Sequence, residues 1–283
     1  MTDSINKTLR QASQTLDRAG VPEPRREASS LLAHIIQKDR TFLIAHADDA
    51  IEDAVRVKFE TAVERRALGE PAQYITGVQD FYGRSFRVTP DVLIPRPETE
   101  LLVEAALKVM NGNAVICDVG TGSGCIAVTL LCERKDARAV AVDISAAALA
   151  IARENGDAHG VSERIEWRIS DCLAALKENA EKFDAIVSNP PYVSADALAG
   201  LQREVRDHEP LVALSPGADG LSVIRRLVLE SPPFLKEKGH LLMEIGFDQS
   251  ESVSELVNPS IWTLKDILPD LQGIPRIVVL QKN

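Results

Sequence analysis

Apolar residues recur at helical spacing through the first seventy positions. Leu9, Ala12 and Leu16 form one stripe, Ala28, Leu31, Leu32, Ile35 and Ile36 a second after Pro22 and Pro24, and Ile51, Val55, Phe59, Ala62 and Val63 a third. Steps of three and four residues place each set on one face, which predicts three amphipathic helices packed as a small bundle. Gly69 and Pro71 end the third, because glycine accepts the left-handed backbone and proline cannot continue a helix. From Tyr74 to Val88 the pattern changes to short β-prone runs broken by Gly77 and Gly83, which predicts a hairpin. A further helical stripe, Leu101, Leu102, Ala105 and Val109, closes at Asn111-Gly112-Asn113.

Beyond it, apolar β runs alternate with helical stretches. The runs are 114–119, 139–142, 165–169, 183–188, 240–243, 262–267 and 274–280. Seven strands with intervening helices predict a mostly parallel sheet covered on both faces, with ligands at the carboxyl ends of the strands near the point where strand order reverses. The expected organisation is a helical domain over 1–71, a β-hairpin connector over 72–93 and an α/β domain over 94–283.

The bulk numbers narrow the partners. A chain of 283 residues with 45% hydrophobic and 26% charged residues is ordinary for a globular protein. No segment approaches the ~18 apolar residues of a membrane span and no secretory leader is recognised, so a cytoplasmic protein without a membrane partner is expected. Cys117, Cys125, Cys132 and Cys172 form no CxxC pair and have no histidine partner, so they read as reduced thiols and no metal is expected. The net charge of −10 is uneven: residues 1–93 carry 13 Lys/Arg against 14 Asp/Glu, residues 94–283 carry 19 against 28. An acidic chain disfavours a nucleic-acid substrate, since binding phosphates needs a basic stripe.

Four motifs follow strand ends. Asp118-Val119-Gly120-Thr121-Gly122-Ser123-Gly124-Cys125 has glycines at alternate positions, where the backbone can turn tightly and approach a ligand. Its GxGxG spacing, after an acidic residue, differs from the GxGxxG of dinucleotide sites. It resembles the glycine loop of class I S-adenosylmethionine-dependent methyltransferases, where the loop passes under the amino-acid end of the cofactor. Gly120, Thr121, Gly122, Ser123 and Gly124 are the positions that this resemblance assigns to cofactor binding. Asp143, about 20 residues on, can accept both hydrogen bonds of a ribose diol or cap the next helix. In Ser170-Asp171-Cys172 the resemblance puts Asp171 at the adenine amino group and Cys172 against the ring, where the family often carries an aromatic residue. Asp171 can equally cap a helix over 173–177.

The fourth motif is Asn189-Pro190-Pro191-Tyr192, after the buried run 183–188. A specified tetrapeptide arises by chance in a chain of this length about twice in a thousand, at ~5% usage per residue type. An amide nitrogen is a poor nucleophile because its lone pair is delocalised into the carbonyl. The Asn189 side-chain oxygen and the Pro190 carbonyl can each accept one N–H of a planar NH2 and stand where positive charge develops on nitrogen. Pro190 and Pro191 hold the backbone in place, and Tyr192 offers an aromatic face. Asn189, Pro190, Pro191 and Tyr192 are thus the expected catalytic set, with Asn189 also beside the cofactor.

Gln73–Gly77, Phe81–Phe86, Leu93-Ile94-Pro95-Arg96-Pro97-Glu98-Thr99-Glu100, Gly217–Leu221 and Leu242–Gly246 narrow the choice. Together they resemble the release-factor glutamine N5-methyltransferase family over about residues 70–283. That resemblance implies a seven-stranded Rossmann-like methyltransferase sheet with a small helical N-terminal domain, and S-adenosylmethionine as cofactor. It implies as substrate the glutamine of a Gly-Gly-Gln motif in peptide-chain release factors, gripped by the helical domain, with Glu98 and Thr99 lining the pocket. A monomer is expected. The alternative substrates are an exocyclic amine of DNA or RNA and a ribosomal-protein glutamine.

Overall fold

The computed structural model describes residues 3–177 and 182–283; Met1 and Thr2, the head of the expected helical domain, lie outside the described residues. The chain divides into two compact units, one of residues up to Val78 with Gln202–His208, the other of Gln79–Leu201 with Glu209–Asn283.

The first unit is built from α1 (Ile5–Arg18), α2 (Pro24–Ile36), α3 (Arg40–Ala45), α4 (Asp53–Ala67) and α5 (Ala72–Thr76). Ser4 caps α1 by accepting the Lys7 N–H, and Asp39 caps the short α3 by accepting that of Phe42. The apolar stripes close over Leu16, Leu31, Leu32 and Phe59, each at most 1% exposed. α3 and α5 are too short to show a helical period, so the sequence pattern does not reveal them. Tyr74, expected in the hairpin, lies in α5, which Gly77 ends at φ +75°.

Residues 202–208 group with this unit, while the sequence reading assigns them to the 94–283 domain. Buried Arg66 of α4 contributes to the attachment, bridging Glu27 of α2 at 2.8 Å and Glu204 at 2.6 Å.

The chain crosses to the second unit within a hairpin, β1 (Val78–Phe81) and β2 (Arg84–Arg87), turning at Tyr82 (φ +51°) and Gly83 (φ +69°). Positive φ at both central residues is the turn whose twist suits a two-residue hairpin loop. Then follow α6 (Glu100–Val109), β3 (Val115–Val119), α7 (Cys125–Glu133), β4 (Arg138–Asp143), α8 (Ala146–Ala158), β5 (Ile165–Ile169) and β6 (Phe183–Ser188). After the excursion α9 (Arg203–His208), which belongs to the first unit, come α10 (Leu211–Leu214), α11 (Ser222–Glu230), β7 (Leu235–Glu244), α12 (Ser250–Leu256), β8 (Trp262–Pro269) and β9 (Pro275–Lys282).

The seven strands form one sheet in the order β5-β4-β3-β6-β7-β9-β8, with β9 antiparallel to both of its neighbours and the other pairs parallel. Each of the seven sequence-predicted runs is a strand. Apolar clusters cover both faces, one around Leu102, Ile116 and Leu130, the other around Ile186, Leu227 and Leu241. Strand order reverses between β3 and β6, and the motifs gather at that end.

Candidate active site

A cavity of about 270 Å³ opens at the carboxyl ends of β3, β4 and β6, within the second unit. Gly120, Thr121, Gly122, Ser123, Asp143, Asp171, Cys172, Asn189, Pro190 and Pro191 line it; Gly124 and Tyr192 do not.

The glycine loop is shaped by its own backbone. Gly120, Gly122 and Gly124 all have positive φ, +72°, +55° and +79°, where a side chain is strained. The N–H groups of Gly120 and Thr121 donate to the Val142 carbonyl, folding the loop against the end of β4. Gly124 serves packing instead of the cavity, since a Cβ there would stand 3.1 Å from that of Ala152 in α8. Asp118 is fully buried and anchors the loop from below, accepting the Thr121 hydroxyl at 2.6 Å and the Ala127 N–H at 3.2 Å. Burial pushes its carboxyl up to about 7, against the pull of those two donors. Asn155 of α8, for which the sequence gives no motif, holds the loop by donating to the Ser123 carbonyl at 2.8 Å.

Asp143 ends β4 with one oxygen accepting Gly122 N–H and the other Ser145 N–H, both at 2.9 Å. It does not cap α8: Ser145 does, accepting the Ala148 N–H at 3.1 Å. Burial raises the Asp143 carboxyl, and the backbone donors work against it.

The third motif departs from expectation. Residues 173–177 form turns, not a helix, with Cys172 at φ +49°. The Ser170 hydroxyl organises them, accepting from Ala175 N–H and donating to the Cys172 carbonyl. Asp171 reaches the cavity, but its carboxylate accepts from Arg226 of α11 at 2.7 Å.

Asn189 stands half-buried at the end of β6. Its Nδ2 donates to the Thr99 hydroxyl at 3.0 Å, Thr99 donates to the Glu244 carboxylate at 2.7 Å, and the Tyr192 hydroxyl donates to the other Glu244 oxygen at 3.1 Å. Among the described residues nothing donates to the Asn189 side-chain oxygen or to the Pro190 carbonyl. Glu244 is 1% exposed, and burial raises its carboxyl despite the hydrogen bonds from Thr99 and Tyr192 and the charge of Arg276. Tyr192 stands outside the cavity lining: partly buried, it packs against the sheet core and its hydroxyl donates to Glu244. Thr99 lines the cavity and Glu98 does not.

Two supporting contacts join positions far apart in the sequence. Arg96 on the cavity wall pairs with buried Glu209 at 2.6 Å, more than a hundred positions away. Gln249 donates to the Tyr192 carbonyl, and Gly220 is required because a Cβ there would fall 2.4 Å from that same oxygen.

Residues 7–77 match the domain family described as PrmC N-terminal domain, and residues 97–205 match the methyltransferase small domain. The release factor glutamine methyltransferase of Cereibacter sphaeroides is 47% identical, over 95% of each chain. That of Koribacter versatilis is 44% identical over 97% of this chain and 99% of its own. Among solved structures, a methyltransferase from Pyrococcus furiosus superposes with TM-score 0.52 at 17% identity, covering 71% of this chain and 90% of its own. The hMettl16 catalytic domain gives 0.55 at 16%, covering 82% of each. The solved structures share the methyltransferase fold, and the near full-length identity to the curated relatives shows that the chain belongs to the release factor glutamine methyltransferase family.

Proposed function

We propose that this enzyme methylates the side-chain amide nitrogen, N5, of the glutamine in the Gly-Gly-Gln motif of peptide-chain release factors. The cavity fits S-adenosylmethionine: bare backbone at Gly120 and Gly122, a strand-end carboxylate at Asp143 for a ribose, and Asp171 and Cys172 in the lining. When bound, that cofactor supplies an electrophilic methyl group carried on sulfonium. Gly120, Thr121, Gly122, Ser123 and Asp143 would hold it.

The observation that carries the reading is the arrangement of Asn189. Its NH2 is committed to Thr99, so its oxygen and the Pro190 carbonyl are left as two acceptors beside the glycine loop. A planar substrate amide can give each of them one N–H, which fixes the nitrogen in orientation. Both oxygens then face the positive charge that forms on nitrogen, and being preorganised they need no rearrangement. Two prolines in succession restrict the backbone that carries these acceptors. As the N–C bond forms, the methyl–sulfur bond of the sulfonium would break to give a neutral thioether, and the methylated amide then gives its proton to solvent water, so no histidine is required.

Release factors act in translation termination, which supports a cytoplasmic site of action, and we place the enzyme there as a monomer. Among the described residues no helix is long and apolar enough to cross a membrane. The test is to incubate the protein with S-adenosylmethionine and, separately, unmodified release factor, ribosomal protein, tRNA and duplex DNA, and to search each for added methyl by mass spectrometry. Methyl on the release-factor glutamine alone is expected. Asn189→Ala should cut the rate by at least about a hundredfold and leave cofactor affinity within about twofold; equal loss of both would remove the role given to Asn189.

A further inference from the structure

We infer that Glu244 decides, through Thr99, which end of the Asn189 amide faces the substrate. The inference rests on the amide-presenting role of Asn189 given above and adds two positioning residues to it. An asparagine amide is nearly symmetric in shape, and a half-turn exchanges its oxygen for its NH2. Facing the substrate with NH2 would set donor against donor. The backbone of Asn189 and its proline neighbours fix where the amide sits and leave that choice open.

Hydrogen-bond polarity makes the choice. A carboxylate accepts only, and a hydroxyl has a single proton to give. Glu244 receives two hydroxyl groups, that of Tyr192 on one oxygen and that of Thr99 on the other. Thr99, 2% exposed, has thereby spent its proton and can offer Asn189 only a lone pair. Asn189 must answer with NH2, as it does at 3.0 Å, and its oxygen is turned the opposite way. Donation converges on Glu244, directly from Tyr192 on one oxygen and from Asn189 by way of Thr99 on the other. Four residues, from the end of β6, the turn before α6 and the end of β7, take part, and Thr99 and Glu244 are buried.

A double-mutant cycle on stability tests the order without any ligand. Asn189→Asp alone puts carboxylates on both sides of the one Thr99 proton, and the melting temperature should fall by roughly 4 °C or more. In a Glu244→Gln background the Gln amide donates to Thr99, Thr99 can donate to the new carboxylate, and the same Asn189→Asp change should cost less than about half as much. Equal costs in both backgrounds would overturn the inference.

The kinetic arm is separate. Glu244→Gln frees the Thr99 proton to meet the Asn189 oxygen, so kcat should drop about tenfold or more with KM for release factor and cofactor affinity within about twofold. Thr99→Val should do the same and Thr99→Ser should recover most of the rate, which decides the matter if Asn189→Asp does not fold. A Thr99→Ser enzyme no faster than Thr99→Val would also overturn the inference. Coupling in the stability cycle together with unchanged kcat in Glu244→Gln would keep the relay and sink the substrate contact at Asn189.

Discussion

The Asp143 carboxylate and the Gly122 amide meet at 2.9 Å across two strand ends. The residue proposed as a ribose ligand is therefore also a strut of the glycine loop, and one hydrogen bond links the two parts of the proposed cofactor site.

Removing that strut should act twice. Asp143→Ala leaves the Gly122 and Ser145 N–H groups without their acceptor and removes the candidate ribose contact. Cofactor affinity, measured by calorimetry, should weaken at least about tenfold, and the melting temperature should fall by about 4 °C. Unchanged affinity would take Asp143 out of the site.

Two glycines of the same loop should respond differently to alanine. A Cβ on Gly124 meets α8 at Ala152 within 3.1–3.3 Å and also suffers the strain of positive φ. At Gly120 no protein atom lies within 4 Å, so only the strain remains. Gly124→Ala should cost about 3 kcal/mol in urea unfolding and Gly120→Ala about 1 kcal/mol. The reverse ranking would show that the loop repacks freely.

Asp118 gives the enzyme a pH signature. Burial holds its carboxyl at about 7 in the folded chain against an ordinary 3.8, so the folded state binds this proton more tightly than the unfolded one. Its contribution to stability is complete below about 3.8 and is lost as pH rises through about 7. Asp118→Asn keeps an oxygen for Thr121 and Ala127 and has nothing to titrate. Its melting temperature should decline less than that of the natural chain between about pH 5 and pH 8, followed by calorimetric scans. Parallel curves would contradict the burial argument.

In the helical unit, Arg66→Ala leaves Glu27 and Glu204 without their shared cation. The carboxylates keep some contact with water, so the cost should be near the lower end for a buried pair, about 3 kcal/mol. Hydrogen exchange should accelerate across 202–208, which this arginine ties to α2 and α4. Protection that stays unchanged there would mean that other packing holds the segment.

Much of this molecule was written in local sequence. The period of apolar residues marked α1, α2, α4 and all seven strands of the sheet, because burial of one face imposes its repeat on the chain. That the glycine loop, Asp143 and Asn189-Pro190-Pro191 would gather at strand ends was legible, and Gly120, Gly122, Asp143, Asn189, Pro190 and Pro191 do line one cavity there. The tie between 202–208 and the helical unit was illegible because the Arg66–Glu204 pair spans more than a hundred residues, and no local period records an ion pair. The bond of the Tyr192 hydroxyl to Glu244, 52 positions later, was illegible for the same reason. The sequence could name Thr99, Asn189, Tyr192 and Glu244, but their hydrogen-bond order exists only once β6, β7 and the turn before α6 come together. A side chain's direction and the polarity of its partner are properties of the packed fold, since they depend on which donors and acceptors distant strands bring within about 3 Å.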